Sequence, residues 1–204
     1  MIRQRVLEVS LPNEYSNILS GIKPWNGVYW SKPKKCHDRL KEIIDNLRDN
    51  YRQSQLECSY CGLKLGGTSN GELDHIAPKS SHPEFTFVLE NITVACHLCN
   101  STSKKGRFDT ISDKKSVYDQ CEFCIIHPYF DNPSDHIEFL NKDNSVIIQV
   151  KNNSTKGRNT ISHFNLNEPR MTFLRTQEML FERLREKYKL EEEIEDLISE
   201  VLNP

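Results

Sequence analysis

The chain has 204 residues, 36% hydrophobic and 27% charged, with a formal net charge of -2 and an isoelectric point near 6.4. That length holds about one to two domains; no apolar run is long enough to span a membrane, and the near-neutral balance argues against nonspecific coating of nucleic acid. The opening MIRQRVLEVSLPNEY lacks a signal peptide's apolar stretch, so the expected compartment is the cytoplasm, where seven cysteines point to metal or redox chemistry rather than disulfides.

From Met1 to about Arg52, a loop-rich lead with Pro24, Trp25 and Trp30 runs into CHDRLKEIIDNLRDNY. There Leu40, Ile43, Ile44 and Leu47 share one face, predicting a helix packed on the next unit. In the centre, Leu73 to Ile76 and Asn91 to Cys96 read as short strands around a polar loop, and a short helix is expected to begin near Asn100. Next, HIEFLNKDNSVIIQV reads as a hairpin with Lys142 to Ser145 as its turn. Two helices are expected to finish the chain. Pro169 suits a helix start, with Phe173, Leu180, Leu184 and Tyr188 at helical spacing before the acidic LEEEIEDLISEVL. The predicted organisation is an N-terminal loop and helix over 1–52, a core over 53–110 and a C-terminal hairpin and helical region over 111–204.

Cys58-Ser59-Tyr60-Cys61 and Cys96-His97-Leu98-Cys99 are two C-x2-C pairs at zinc-knuckle spacing, the first followed by Gly62. Four thiolates fill a tetrahedral ion and leave no position for a reacting water, so the predicted zinc is structural and staples the two ends of the centre. Thioredoxin-like chemistry needs one such pair near a βαβ pattern, and neither pair has that setting.

Within this frame, LDHIAPKS, ENITVAC and CHLCNSTSKKGRFD resemble the HNH nuclease family, in its subgroup with a zinc knuckle. The resemblance covers about a quarter of the chain and implies an α+β fold, a ββα-metal core with a structural zinc held by the four cysteines, flanked by an N-terminal helical segment and a C-terminal hairpin plus helices. It matches His75 to the general base, Asp74 to a metal ligand, Asn91 to the asparagine that fixes the loop, and Asn100 to the last motif position, here asparagine rather than histidine.

The chemistry agrees on separate grounds. Phosphodiester hydrolysis needs a base for water, a cation for the phosphoryl charge and stabilisation of the leaving oxygen. Imidazole suits the first role, while Asp74 and Asn100 offer hard oxygen ligands that suit Mg2+ or Mn2+ better than zinc. Neighbours on a strand point to opposite sides, so Asp74 and His75 can share a site only at a strand end or bulge. Lys104, Lys105 and Arg107, on or near the short helix, are expected to hold flanking phosphates.

A metal-dependent DNA endonuclease is the reading these residues support together. The alternatives are a noncatalytic zinc-bearing module that binds nucleic acid or protein, and a restriction or mobile-element HNH nuclease. A zinc deaminase is rejected: His82 to Glu84 spells H-x-E before ACHLC, but Ala95 stands where that motif has proline, and Cys58 and Cys61 would be left without purpose. Cys121 and Cys124, with His127 nearby, form another C-x2-C among aromatic and aliphatic residues, where core packing is the expectation. The flanks IIHPYFDNPSDHIEF and ISHFNLNEPRMTFLRTQ are similar to the HNH subunits of Septu-type and retron-associated antiphage defence systems, which implies work beside an ATPase partner. The acidic run Glu191 to Asp196, with its stripe of Leu190, Ile194, Leu197, Ile198 and Val201, is either a helix packed on its own domain or a docking element for that partner.

Overall fold

The computed structural model describes residues 2–66, 71–142 and 145–188. Three helices occupy the lead: α1 (Asn13–Ser20), α2 (Val28–Ser31) and α3 (Leu40–Ser54). In α3, Leu40, Ile43, Ile44, Leu47 and Tyr51 recur every three or four residues and are all buried. That stripe packs with Trp30, Ile76, Ile92 and Val94 in a core that also takes Phe85, Phe87, Tyr118 and Phe123.

Strands β1 (Glu72–His75) and β2 (Ile92–Ala95) form an antiparallel hairpin, with Glu72 opposite Ala95 and His75 opposite Ile92. All four residues of β2 are buried because a second core lies against the hairpin from the C-terminal side. This core joins Tyr60, Ala95 and the four cysteines of the two pairs to Ile125, Ile137, Ile148, Phe164 and Met171. The hairpin is therefore clamped between the lead and the C-terminal region, which limits how far its ends can move.

Helix α4 covers His97–Asn100. It ends at Asn100 instead of beginning there, because Ser101 returns to extended backbone (φ -64°, ψ 155°) and residues 102–107 form turns. At Gly106 φ is +45°, and a Cβ would lie 2.6 Å from the Thr102 carbonyl oxygen, so this turn requires glycine.

The C-terminal region contains the short ladder of β3 (Ile111–Asp113) with β4 (Glu122–Phe123), then the hairpin of β5 (Ile137–Lys142) and β6 (Ser145–Val150). In this hairpin, Ile137 faces Val150 and Lys142 faces Ser145. Helix α5 (Thr155–His163) has no apolar stripe to announce it: its buried residues are Gly157 and Thr160. Its start is legible only in Ser154, whose side chain caps the Gly157 N–H. Helix α6 (Pro169–Tyr188) begins at the proline, but its inward face is Met171 and Arg175; Phe173, Leu180 and Leu184 are exposed at 61%, 57% and 38%. Helical spacing located α6 correctly and said nothing about which face is covered. The acidic stretch Glu191 to Asp196 and its stripe lie outside the described residues, among which no helix is long and apolar enough to cross a membrane.

Candidate active site and zinc centre

The two cysteine pairs converge. A turn holds the first, with Gly62 N–H donating to the Cys58 carbonyl at 2.9 Å and Gly62 at φ +71°; the second spans the exit of β2 and the first turn of α4. All four sulfur atoms are within 4.8 Å of one another and all four residues are buried. Cys61 Sγ and Cys96 Sγ are 3.8 Å apart. A tetrahedron of about 2.3 Å zinc–sulfur bonds has edges of about 3.8 Å, so the donors fit zinc. Among the described residues no second cluster of this kind exists. Cys121 packs against the Lys115 and Val117 carbonyls, and Cys124 approaches that of Asp109.

His75 is the last residue of β1 and is buried. Its Nε2 is 3.0 Å from the Thr86 carbonyl oxygen, which only accepts, so Nε2 carries the proton and Nδ1 keeps the lone pair. Burial first, and the nearby Lys79 charge second, push the imidazole down to about 3, leaving it neutral. Trp30 meets the ring edge-on at 4.5 Å between centroids.

Asp74 precedes His75 in β1. Its Oδ2 accepts from the Tyr60 hydroxyl at 2.5 Å and lies 3.9 Å from Lys105 Nζ. Burial raises the carboxyl above its ordinary range, opposed by Lys105 and then by the Tyr60 hydrogen bond. Lys79 and Lys105 act electrostatically on both Asp74 and His75, so the strand end is a locally cationic place on a chain of net charge -2.

Asn91 is fully buried and its amide is saturated. Oδ1 accepts from Ala77 N–H at 2.7 Å and from the Tyr118 hydroxyl at 2.9 Å, while Nδ2 donates to the carbonyls of Ala77 at 3.2 Å and Phe85 at 2.9 Å. These bonds close the 77–91 loop, which contains the Thr86 carbonyl that holds His75. Behind them, Tyr118 also meets His127 Nε2 at 3.0 Å, and His127 Nδ1 accepts the N–H groups of Tyr129 and Phe130. A buried chain from His127 through Tyr118 to Asn91 thus braces the loop from outside.

Asn100 donates from Nδ2 to Glu72 Oε2 at 2.8 Å, which turns its Oδ1 away as the free acceptor. Glu72 and Asp74 share one face of β1, so both oxygen donors belong to the same side of the hairpin. The three expected phosphate contacts separate. Lys105 is 1% exposed, with Nζ donating to the His75 carbonyl at 3.0 Å, and so cannot reach outward to a phosphate. Lys104 is half-buried beside Glu168 at 3.4 Å, and Arg107 alone is exposed. Thr86, Tyr60, Lys79 and Tyr118 escaped sequence reasoning, because a carbonyl, two tyrosines and a loop lysine acquire these partners only through folding.

Residues 58–106 match the family model described as HNH endonuclease. This segment is an HNH endonuclease domain. It contains both cysteine pairs, Asp74, His75, Asn91 and Asn100, while Trp30, Tyr118 and His127, which buttress it, come from outside. Two curated relatives are each named Septu protein PtuB. The one from Bacillus thuringiensis is 26% identical over 159 residues, covering 78% of this chain and 51% of that protein. The one from Bacillus mycoides (strain KBAB4) is 28% identical over 134 residues, covering 57% of this chain and 44% of that protein. The chain spans about half the length of these relatives.

Proposed function

We propose that this chain is a metal-dependent DNA endonuclease in which His75 is the general base, acting with an ATPase subunit in antiphage defence. The observation that carries the proposal is the fixed tautomer of His75: a neutral imidazole with Nε2–H tied to the Thr86 carbonyl, leaving the Nδ1 lone pair unused at the end of β1, in the segment that also carries the zinc-fitting cysteines. A structural or binding module has no use for that arrangement.

Asp74 and the free Oδ1 of Asn100 would hold Mg2+ or Mn2+; two hard oxygen donors are few, which suits a cation that keeps water and takes phosphate oxygens as further ligands. Such a cation, when bound, neutralises charge on the phosphoryl oxygens. His75 accepts the proton of the attacking water at Nδ1. The Thr86 carbonyl becomes a better partner as the ring turns cationic, since hydrogen bonds from imidazolium are stronger than from imidazole. Lys79 and Lys105 favour an anionic substrate beside Asp74, and exposed Arg107 is the remaining member of the expected trio free to meet a flanking phosphate. In this reading 53–110 is the nuclease unit between its two flanks, Asn91 serves it as the loop staple, and a reducing cytoplasm keeps the four thiolates available to zinc.

The test is incubation of purified protein with plasmid and Mg2+ or Mn2+, wild type against His75→Ala. Wild-type cleavage that His75→Ala abolishes, with bound zinc retained, supports the proposal. Equal cleavage by both refutes the assignment of the base, and cleavage by neither favours a noncatalytic zinc-bearing binder.

A further inference from the structure

With Lys105 internal and Lys104 paired, the HNH segment offers little cationic surface of its own, yet a phosphodiester chain carries one charge per nucleotide. The lead supplies what the centre lacks. Between residues 23 and 41 the sequence has six cations, Lys23, Lys32, Lys34, Lys35, Arg39 and Lys41, against one carboxylate, Asp38. Folding gathers part of this run into a groove of 410 Å³ lined by Trp30, Lys32, Lys34, Lys35, Lys41 and Arg48. Arg48 pairs with Asp45 at 2.9 Å and lies 5.9 Å from the Trp30 ring centre, and Lys41 shares the same Asp45. Lys32, Lys34 and Lys35 are exposed, and no carboxylate pairs with them among the described residues.

This groove is rigidly attached to the candidate active site. Trp30 forms its wall and touches the His75 ring. One turn earlier, the backbone of Gly27 lies so close to the 77–91 loop that a Cβ there would be 2.3 Å from the Lys79 carbonyl oxygen. We propose that the Lys32–Lys34–Lys35 groove binds the sugar-phosphate backbone of DNA a few nucleotides from the bond presented to His75. The direction of the strand rests on the nuclease reading; the groove's affinity for DNA does not. Free ammonium groups with no base-reading amides or carboxylates around them predict binding without sequence preference.

The experiment measures binding of a fluorescent duplex DNA across a salt series without added divalent metal, in the full chain. The triple variant Lys32→Gln, Lys34→Gln, Lys35→Gln is compared with Lys142→Gln, Lys151→Gln, Arg158→Gln, which removes the same charge from exposed positions elsewhere. The groove variant is expected to bind at least about tenfold more weakly and to lose about two to three units of slope in log affinity against log salt. The remote variant should change affinity less than about threefold. Equal losses in both variants, or wild-type binding by the groove variant, overturn the proposal; so does competition by polyglutamate as effective as by unlabelled DNA, which would mark an acidic-protein surface. Cleavage in Mg2+ is scored separately. Groove-dependent binding without cleavage would sink the nuclease reading and leave the groove, whereas cleavage with unaltered binding would do the reverse.

Discussion

Replacing Asn91 with alanine separates a staple from a catalytic group. The substitution orphans four buried partners at once: the Ala77 N–H, the Tyr118 hydroxyl, and the carbonyls of Ala77 and Phe85. Carbonyls retain other lone-pair options, so the larger cost comes from the two donors, each at about 1–3 kcal/mol when buried without a partner. The expected destabilisation is therefore about 2–6 kcal/mol, a large share of the about 5–15 kcal/mol that holds a typical domain. In urea unfolding this moves the midpoint down by about 1–3 M at an unchanged slope of about 2 kcal/mol per M. Cleavage should fall as well, since the freed loop carries the Thr86 carbonyl that fixes the His75 tautomer. Asn91→Asp sharpens the test: it keeps the acceptor for Ala77 and Tyr118 but presents oxygen to the Ala77 and Phe85 carbonyls, so it should be destabilised at neutral pH and partly recover in acid, where the carboxyl regains one donor. An Asn91→Ala protein that unfolds at the wild-type urea midpoint would refute the staple, whatever its activity.

Tyr60→Phe keeps the stacking on Phe164 but removes the 2.5 Å hydrogen bond to Asp74, so the carboxyl should become harder to ionise and the acid limb of cleavage should move to higher pH; an unmoved limb would detach Asp74 from the rate. Metal removal should proceed in two stages, with mild chelation stopping cleavage reversibly while zinc remains, and Cys96→Ser unfolding the centre because the four buried sulfurs anchor the second core; active protein with clearly less than one zinc per chain would contradict this. His127 is held neutral, pushed by burial from 6.5 down to about 3. Its stabilising contribution is complete above the unfolded value and is lost as pH falls toward the folded one, at about 1.4 kcal/mol per pH unit. Between pH 7 and pH 5, wild type should lose about 2 kcal/mol more than His127→Gln, as read from urea midpoints, and parallel losses would show that His127 does not carry this acid sensitivity.

Spacing alone determined the parts whose physics is local. Tetrahedral sulfur coordination demands cysteines in close pairs, so Cys58, Cys61, Cys96 and Cys99 announced themselves, and the stripe of Leu40, Ile43, Ile44 and Leu47 fixed α3 because a helical face must be covered. The strands of both hairpins were also legible, as short runs around a loop or turn, while the pairings, Glu72 with Ala95 and Ile137 with Val150, came from the fold. Tertiary structure decided everything that depends on which surface is covered. Lys105 reads as a surface cation beside Lys104 and Arg107, yet it is buried because its ammonium finds the His75 carbonyl and Asp74. Phe173, Leu180 and Leu184 keep helical spacing without facing a core, and α5 forms with no apolar stripe because Ser154 caps it and Gly157 allows close contact with the His136 carbonyl. The tautomer of His75, the saturation of Asn91 and the approach of Trp30 to the His75 ring are relations between residues 6 to 45 positions apart. Sequence names the groups for such relations, but only the folded chain supplies the distances.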